Sequence, residues 1–183
     1  TTTAVTTIGT DTANYSGDIQ SFDYTQHITK SFRKIKVTKT LNVLNDGTSL
    51  GNNVSINLAE IEVWMNVNGI PTNIARTTDY GTWTATQSTT YGGNYIWRAD
   101  KVLDGSYGGS NFAHTNDDNS DLHPWVMIET TQDITLEDVY TIMIINRSGY
   151  QKRFYGLTTE ILDNANKIIV SMKSIQTVQA NGI

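Results

Sequence analysis

Short runs of alternating apolar and polar residues, cut every few positions by Gly, Asn, Asp or Ser, set the tightest limit on what this chain can fold into. Neighbouring side chains on a strand face opposite sides, so a period of two marks a half-buried strand. Residues 33–38, Arg-Lys-Ile-Lys-Val-Thr, put Ile35 and Val37 on one face and Lys34, Lys36 and Thr38 on the other. No segment sustains the 3.6-residue repeat of an amphipathic helix, and Pro71 and Pro124 are the only prolines. The chain reads as all-β.

Residues 56–65 alternate with a slip of phase. Ile56 and Leu58 share a face that Ile61, Val63 and Met65 continue only if a bulge sits near Ala59-Glu60. Further strands are expected over 125–129, 139–146, 154–162 and 167–172, and the run 142–145, apolar on both faces, suits a central strand. Ile35, Val37, Leu58, Val63, Trp125, Met143 and Ile145 are expected to be largely buried. Residues 1–30, Thr-rich, read as an arm or partial strand, 31–178 as the sandwich and 179–183 as a tail. Starting at Thr1 without an initiator Met or a leader, the chain is expected to be a fragment or processed form of something longer.

Composition narrows the partners. At 183 residues the chain suits one domain with a sizeable core. A net charge of -5 offers no basic footprint, so nucleic acid is not expected. No apolar run approaches the roughly 20 residues of a membrane span, so membrane insertion is not expected either. The absence of cysteine removes disulfides, thiolate zinc sites and cysteine nucleophiles together.

Catalytic patterns are lacking: there is no Gly-x-Ser-x-Gly, no His-Glu-x-x-His and no Gly-rich phosphate loop. The acids at Asp117, Asp118, Asp121, Asp133, Glu137 and Asp138 read as exposed turn residues. The chain is taken as non-enzymatic. Its long polar connections, 76–98 and 104–122, hold most of the aromatics, among them Trp83, Tyr91, Tyr95, Trp97, Tyr107 and Phe112, with Tyr150 in a later loop. Loops of that length usually serve a function. Aromatic faces take the C–H side of a sugar ring, and Arg forks supply donors to its hydroxyls.

One ordered set of motifs goes further. It runs Ala85-Thr86-Gln87-Ser88, Ala99-Asp100-Lys101-Val102-Leu103-Asp104-Gly105 and Asn111-Phe112-Ala113-His114-Thr115-Asn116, then Pro124-Trp125-Val126-Met127-Ile128-Glu129, Val139 to Ile145, Asn146-Arg147, Arg153 and Glu160-Ile161. In order and approximate spacing this resembles the F5/8 type C (discoidin) superfamily, and within it the fucolectin-like, or F-type lectin, branch. With the strands at 32–38 and 56–65 it looks like modules in surface proteins of large DNA viruses.

The resemblance implies an antiparallel eight-stranded jelly-roll β-sandwich of the galactose-binding-domain type, with ligand loops at one end. It implies a non-catalytic, lectin-like sugar site at His114, Arg147 and Arg153, with Trp97 and Tyr150 in its aromatic wall, for a fucose- or galactose-type sugar. The chain departs from the family pattern in a longer spacing from His114 to Arg147, in Gly149 where an Asp is usual, and in Arg153 arriving one residue early. The resemblance also implies a structural Ca²⁺ held by carboxylates of Asp104 and Glu160, the Lys101 carbonyl, and oxygens of Ser106 and Asn111. An extracellular or virion-surface setting, in a homo-oligomer or array with neighbouring protein subunits, follows from it. The alternative is a structural building block of a viral capsid or surface fibre with no sugar binding. Sequons at Asn14, Asn53 and Asn146 carry little weight in so Asn- and Thr-rich a chain.

Overall fold

A computed structural model describes residues 5–9, 19–23, 30–39, 54–117 and 120–173. The described strands are β1 (Val5–Gly9), β2 (Ile19–Asp23), β3 (Ser31–Lys39), β4 (Asn57–Val67), β5 (Ile70–Asn73), β6 (Trp83–Gln87), β7 (Ala113–His114), β8 (Trp125–Thr135), β9 (Val139–Asn146), β10 (Leu157–Leu162) and β11 (Ile168–Lys173). Single turns of 3-10 helix join several of them. No helix among the described residues is long and apolar enough to cross a membrane.

The strands form two sheets. One runs β1-β2-β9-β4-β5, with β7 also paired to β4; the other runs β11-β10-β3-β8-β6. Every ladder is antiparallel. The sheets share one core, with Ile61, Val63, Ile142 and Ile144 from the first meeting Phe32, Ile35, Val126, Ile128 and Ile161 from the second. The all-β sandwich expected from alternation is present. Eleven strands are described where eight were expected, partly because residues 5–9 and 19–23 pair and extend the first sheet beyond β9. Residues 174–183, including the expected tail, lie outside the described residues.

Several local expectations resolve in physical terms. The register of β4 against β9 shifts between Leu58 and Glu60, so a bulge lies where the phase slip put it. Leu58, Ile61 and Val63 therefore all reach the core, while Glu60 and Glu62 turn to the outer face. Strand β9, apolar on both faces, is flanked by β2 and β4.

Two expected core residues are only half-buried, Met143 and Trp125. In β9 the core takes Ile142 and Ile144, which sends Met143 outward; in β8 it takes Val126 and Ile128, which sends Trp125 outward. There Lys36 Nζ stands 5.3 Å from the Trp125 ring centre. Strand β10 starts at Leu157 rather than 154, because a 3-10 turn over Gln151–Phe154 and Gly156, at φ +73°, precede it. Strand β6 lies inside the connection read as a long polar loop, since Trp83-Thr84-Ala85-Thr86-Gln87 alternates without any large aliphatic residue.

Candidate functional site

Three chain segments are tied together at one end of β4. Its first residue, Asn57, pairs with His114 of β7, and Leu58 with Ala113. Ile56 N donates to Thr115 Oγ1 at 2.9 Å, and Thr115 N to the Ile56 carbonyl at 3.2 Å. At the end of β9, Arg147 N donates to the Asn57 carbonyl at 3.1 Å. The 3-10 turn over Gln151–Phe154 then returns Arg153 to the same place, its N–H bonded to the Tyr150 carbonyl at 2.9 Å.

The side chains converge accordingly. Arg153 Nη1 bonds to Asn57 Oδ1 and lies 2.9 Å from His114 Nε2, and Arg153 Nη2 is 3.5 Å from Asp117 Oδ2. A guanidinium only donates, so His114 Nε2 accepts and the ring proton is assigned to Nδ1. His114 is buried, and its pKa is pushed down to about 3, first by burial and then by the positive charges of Arg153 and Arg147. It is a neutral imidazole at any physiological pH.

Aromatic rings enclose this polar centre. Tyr91 stacks on His114, with ring centres 4.3 Å apart and planes 10° from parallel. Trp97 meets the His114 ring edge-on at 6.1 Å and Phe112 at 4.6 Å. The Arg147 guanidinium carbon lies 4.1 Å from the Phe112 ring centre and 4.0 Å from that of Tyr150. Arg153 lies 5.0 Å from the Tyr150 ring centre.

All five residues named for the sugar site, His114, Arg147, Arg153, Trp97 and Tyr150, thus meet. Asn57, Tyr91 and Phe112 join them. Tyr91 and Phe112 were visible as loop aromatics without a distinct role. Asn57 gave no signal, since a polar residue at a strand start is ordinary, yet it is 1% exposed and holds Arg153.

Further bonds fix the loops. Gln87 Nε2 donates toward Thr89 O at 2.7 Å, Thr90 Oγ1 at 2.9 Å, Trp97 O at 3.1 Å and His114 O at 3.3 Å. Asp121 Oδ2 accepts from both Ser88 and Thr89. Beneath the site, Lys39 is fully buried and donates to the Arg153 carbonyl at 3.1 Å; burial, then Arg153, lower its pKa to about 7. Asn146 is buried too, its amide nitrogen bonded to the Tyr150 carbonyl at 3.1 Å, so it is no glycan acceptor. Loops around 95–101 and 108–111 enclose an open cleft of about 510 Å³ that adjoins Trp97 through Tyr95 and Ile96.

The expected cation ligands assemble in part. Asp104 accepts from Asn111 Nδ2 at 2.6 and 2.8 Å and from Ser106 N at 3.0 Å, and Lys101 Nζ stands 3.6 Å from it. Glu160 belongs elsewhere. It sits on β10 opposite Lys36 and Ser171, in the second sheet, and alternation with the core residue Ile161 turns it to that sheet's outer face. The distant acid that does meet the loop is Glu60, on the outer face of the first sheet. Its Oε1 accepts from Gly105 N and, at 3.0 Å, from Ser106 N.

Glu60 is fully buried, and its Oε2 has no hydrogen-bond partner. Burial raises its pKa to about 8, outweighing the Gly105 N–H bond that lowers it, and the nearby Asp104 and Glu62 carboxylates add to the rise. Next to it, Glu62 accepts from the Tyr107 hydroxyl and from Trp64 Nε1, the latter at 2.7 Å. Gly105 is at φ +78°, and a Cβ there would collide with the Arg76 guanidinium. No cluster of three or more His, Cys, Asp or Glu among the described residues could hold a metal ion. A cation here would take two carboxylates, Glu60 and Asp104, with neutral oxygens of the 101–111 loop completing the shell. An orphaned buried carboxylate oxygen beside a second carboxylate fits a hard cation such as Ca²⁺.

No protein-family model, curated protein or solved structure matches this chain. The site's own geometry carries the functional reading.

Proposed function

We propose that the chain is a non-catalytic carbohydrate-binding module whose ligand rests against His114, Arg147 and Arg153 at one end of the sandwich. The supporting observation is their convergence inside a ring of Tyr91, Trp97, Phe112 and Tyr150. Guanidinium N–H groups supply directed donors to ring and hydroxyl oxygens, and the aromatic rings take the C–H face. The open cleft at Tyr95 and Arg98 leaves room for a glycan longer than one sugar. Jelly-roll connectivity of the galactose-binding type, and a place on a virion or an extracellular surface, belong to the same proposal. Shallow sugar sites bind weakly one at a time, so an arrayed or oligomeric setting would supply avidity.

A glycan array on the isolated chain tests this, followed by titration of a hit against Arg147→Ala with folding checked separately. Losing the arginine is expected to weaken binding about tenfold to a hundredfold, the effect of leaving polar partners unpaired. An array without hits leaves the structural capsid or fibre reading in the lead.

Calcium belongs to the proposal as a structural ion that ties the 101–111 loop to β4. An ion that binds only the folded chain stabilises it by about 2.7 kcal/mol at a hundredfold excess over Kd. Melting with Ca²⁺ and with a chelator is expected to differ by that order. Glu60→Gln and Asp104→Ala should each abolish the difference and Glu160→Gln should not. A chelator without effect on metal-loaded protein removes the ion.

A further inference from the structure

We infer that the glycan carries a carboxylate, as uronic and sialic acids do, and that this group pairs with Arg147. The inference rests on the sugar-binding reading above and adds the charge of the ligand. Arg147 carries the argument. Its backbone N–H is bonded, but its guanidinium has no ion-pair or hydrogen-bond partner among the described residues; it is held by the Phe112 and Tyr150 rings alone.

With those two rings at 4.1 and 4.0 Å from the guanidinium carbon and no polar partner among the described residues, its N–H groups are what remains for a ligand. A planar fork of parallel N–H bonds matches a carboxylate, and a charged acceptor makes each bond roughly twice as strong as a neutral one.

The charge count points the same way. Arg153 has one carboxylate near it, Asp117 at 3.5 Å, and its buried Nε has no hydrogen-bond partner. Two guanidiniums therefore face one described carboxylate. The histidine between them adds no charge, since its ring accepts from Arg153. A cation partly withdrawn from water with no counter-charge is costly, and an anionic ligand removes that cost. On a chain of net charge -5, such a locally positive spot also selects its ligand by sign.

The test compares acidic sugars with neutral counterparts on the intact chain: 3′-sialyllactose against lactose, and methyl glucuronide against methyl glucoside, each titrated at low and high salt. At least one acidic sugar is expected to bind about tenfold more tightly than its neutral partner. The advantage should shrink with salt and disappear when the carboxylate is esterified. Arg147→Gln should remove the advantage while the neutral sugar loses less, and Arg147→Lys, which keeps the charge without the fork, should restore part of it. Equal binding of acidic and neutral sugars overturns the inference and leaves the sugar-binding reading intact. Binding of neither, with an array of both classes empty, overturns both.

Discussion

Asn57→Ala is expected to cost about 2–3 kcal/mol of folding stability and most of the glycan affinity, because it strips a charged donor of its buried acceptor. Asn57 is 1% exposed, accepts from Arg153 Nη1 through Oδ1, and donates to the Ile56 carbonyl at 2.8 Å through Nδ2. Alanine keeps the strand but leaves a partly buried guanidinium facing a small void, and breaking one side of a charged pair costs more than removing both. Asn57→Asp separates the causes. It keeps an acceptor and adds a counter-charge to Arg153, so it should recover most of the stability. It should also weaken any acidic sugar by repulsion. Denaturant unfolding and glycan titration on the two proteins measure these effects, and an alanine variant as stable as the parent would show that Asn57 does not anchor Arg153.

Acid should act through His114. Unfolded, the ring takes a proton near its ordinary value of 6.5; folded, it does so only near 3. Between those values the unfolded chain binds more protons, so the contribution of His114 to stability is full above about 6.5 and falls as pH drops toward 3. Lys39 has the same sign in another window: lowered from 10.5 to about 7, it makes stability climb as pH rises between them. Glu60, raised from 4.5 to about 8, works the opposite way while no cation neutralises it.

The informative measurement is therefore a difference. His114→Gln keeps an acceptor for Arg153 and removes the titration, so its melting temperature should change less than the parent's between pH 6.5 and 3. For a chain of this size each 1 kcal/mol appears as about 2–4 °C. Parallel curves for the two proteins would mean that the ring is not held neutral by its surroundings.

The sandwich was legible in the chain because alternation records burial directly. The β4 slip announced its bulge, and the apolar run 142–145 announced a central strand. Trp125 and Met143 show where that record ends. In a strand apolar on both faces, the pattern cannot say which face meets the core. Ile145 is a middle case: it is 3% exposed yet stands outside the core cluster, opposite Glu60 on the first sheet.

The candidate site was legible as residue types in order, and the five residues named for it meet. What holds them was not. Asn57, Gln87 and Lys39 act through buried bonds to chain segments far away in sequence, and nothing in their local pattern reports those bonds. That Glu60 rather than Glu160 meets the 101–111 loop went unread for a related reason. Thr-Glu-Ile at 159–161 and Ala-Glu-Ile at 59–61 look alike, and only strand order tells which glutamate faces the loop.

The bulge in β4 also sets how this chain tolerates change in length. Ala59 is one residue more than alternation needs between Leu58 and Ile61, and the bulge absorbs it, so both point inward while Glu60 points out. A chain lacking Ala59 would return to plain alternation, with Leu58, Ile61 and Val63 still inside. A residue gained or lost between Ile61 and Val63 has no such bulge to absorb it: either Val63 turns out, or Leu58 and Ile61 do, away from the segment that seats His114. Neither frame preserves both the core and the site. By contrast, the loop tip at Gly108 and Gly109 has open space around it, and a residue gained or lost there shifts no strand. Lineages of this domain should vary freely in length at that tip and hold the count from Ile61 to Val63 fixed.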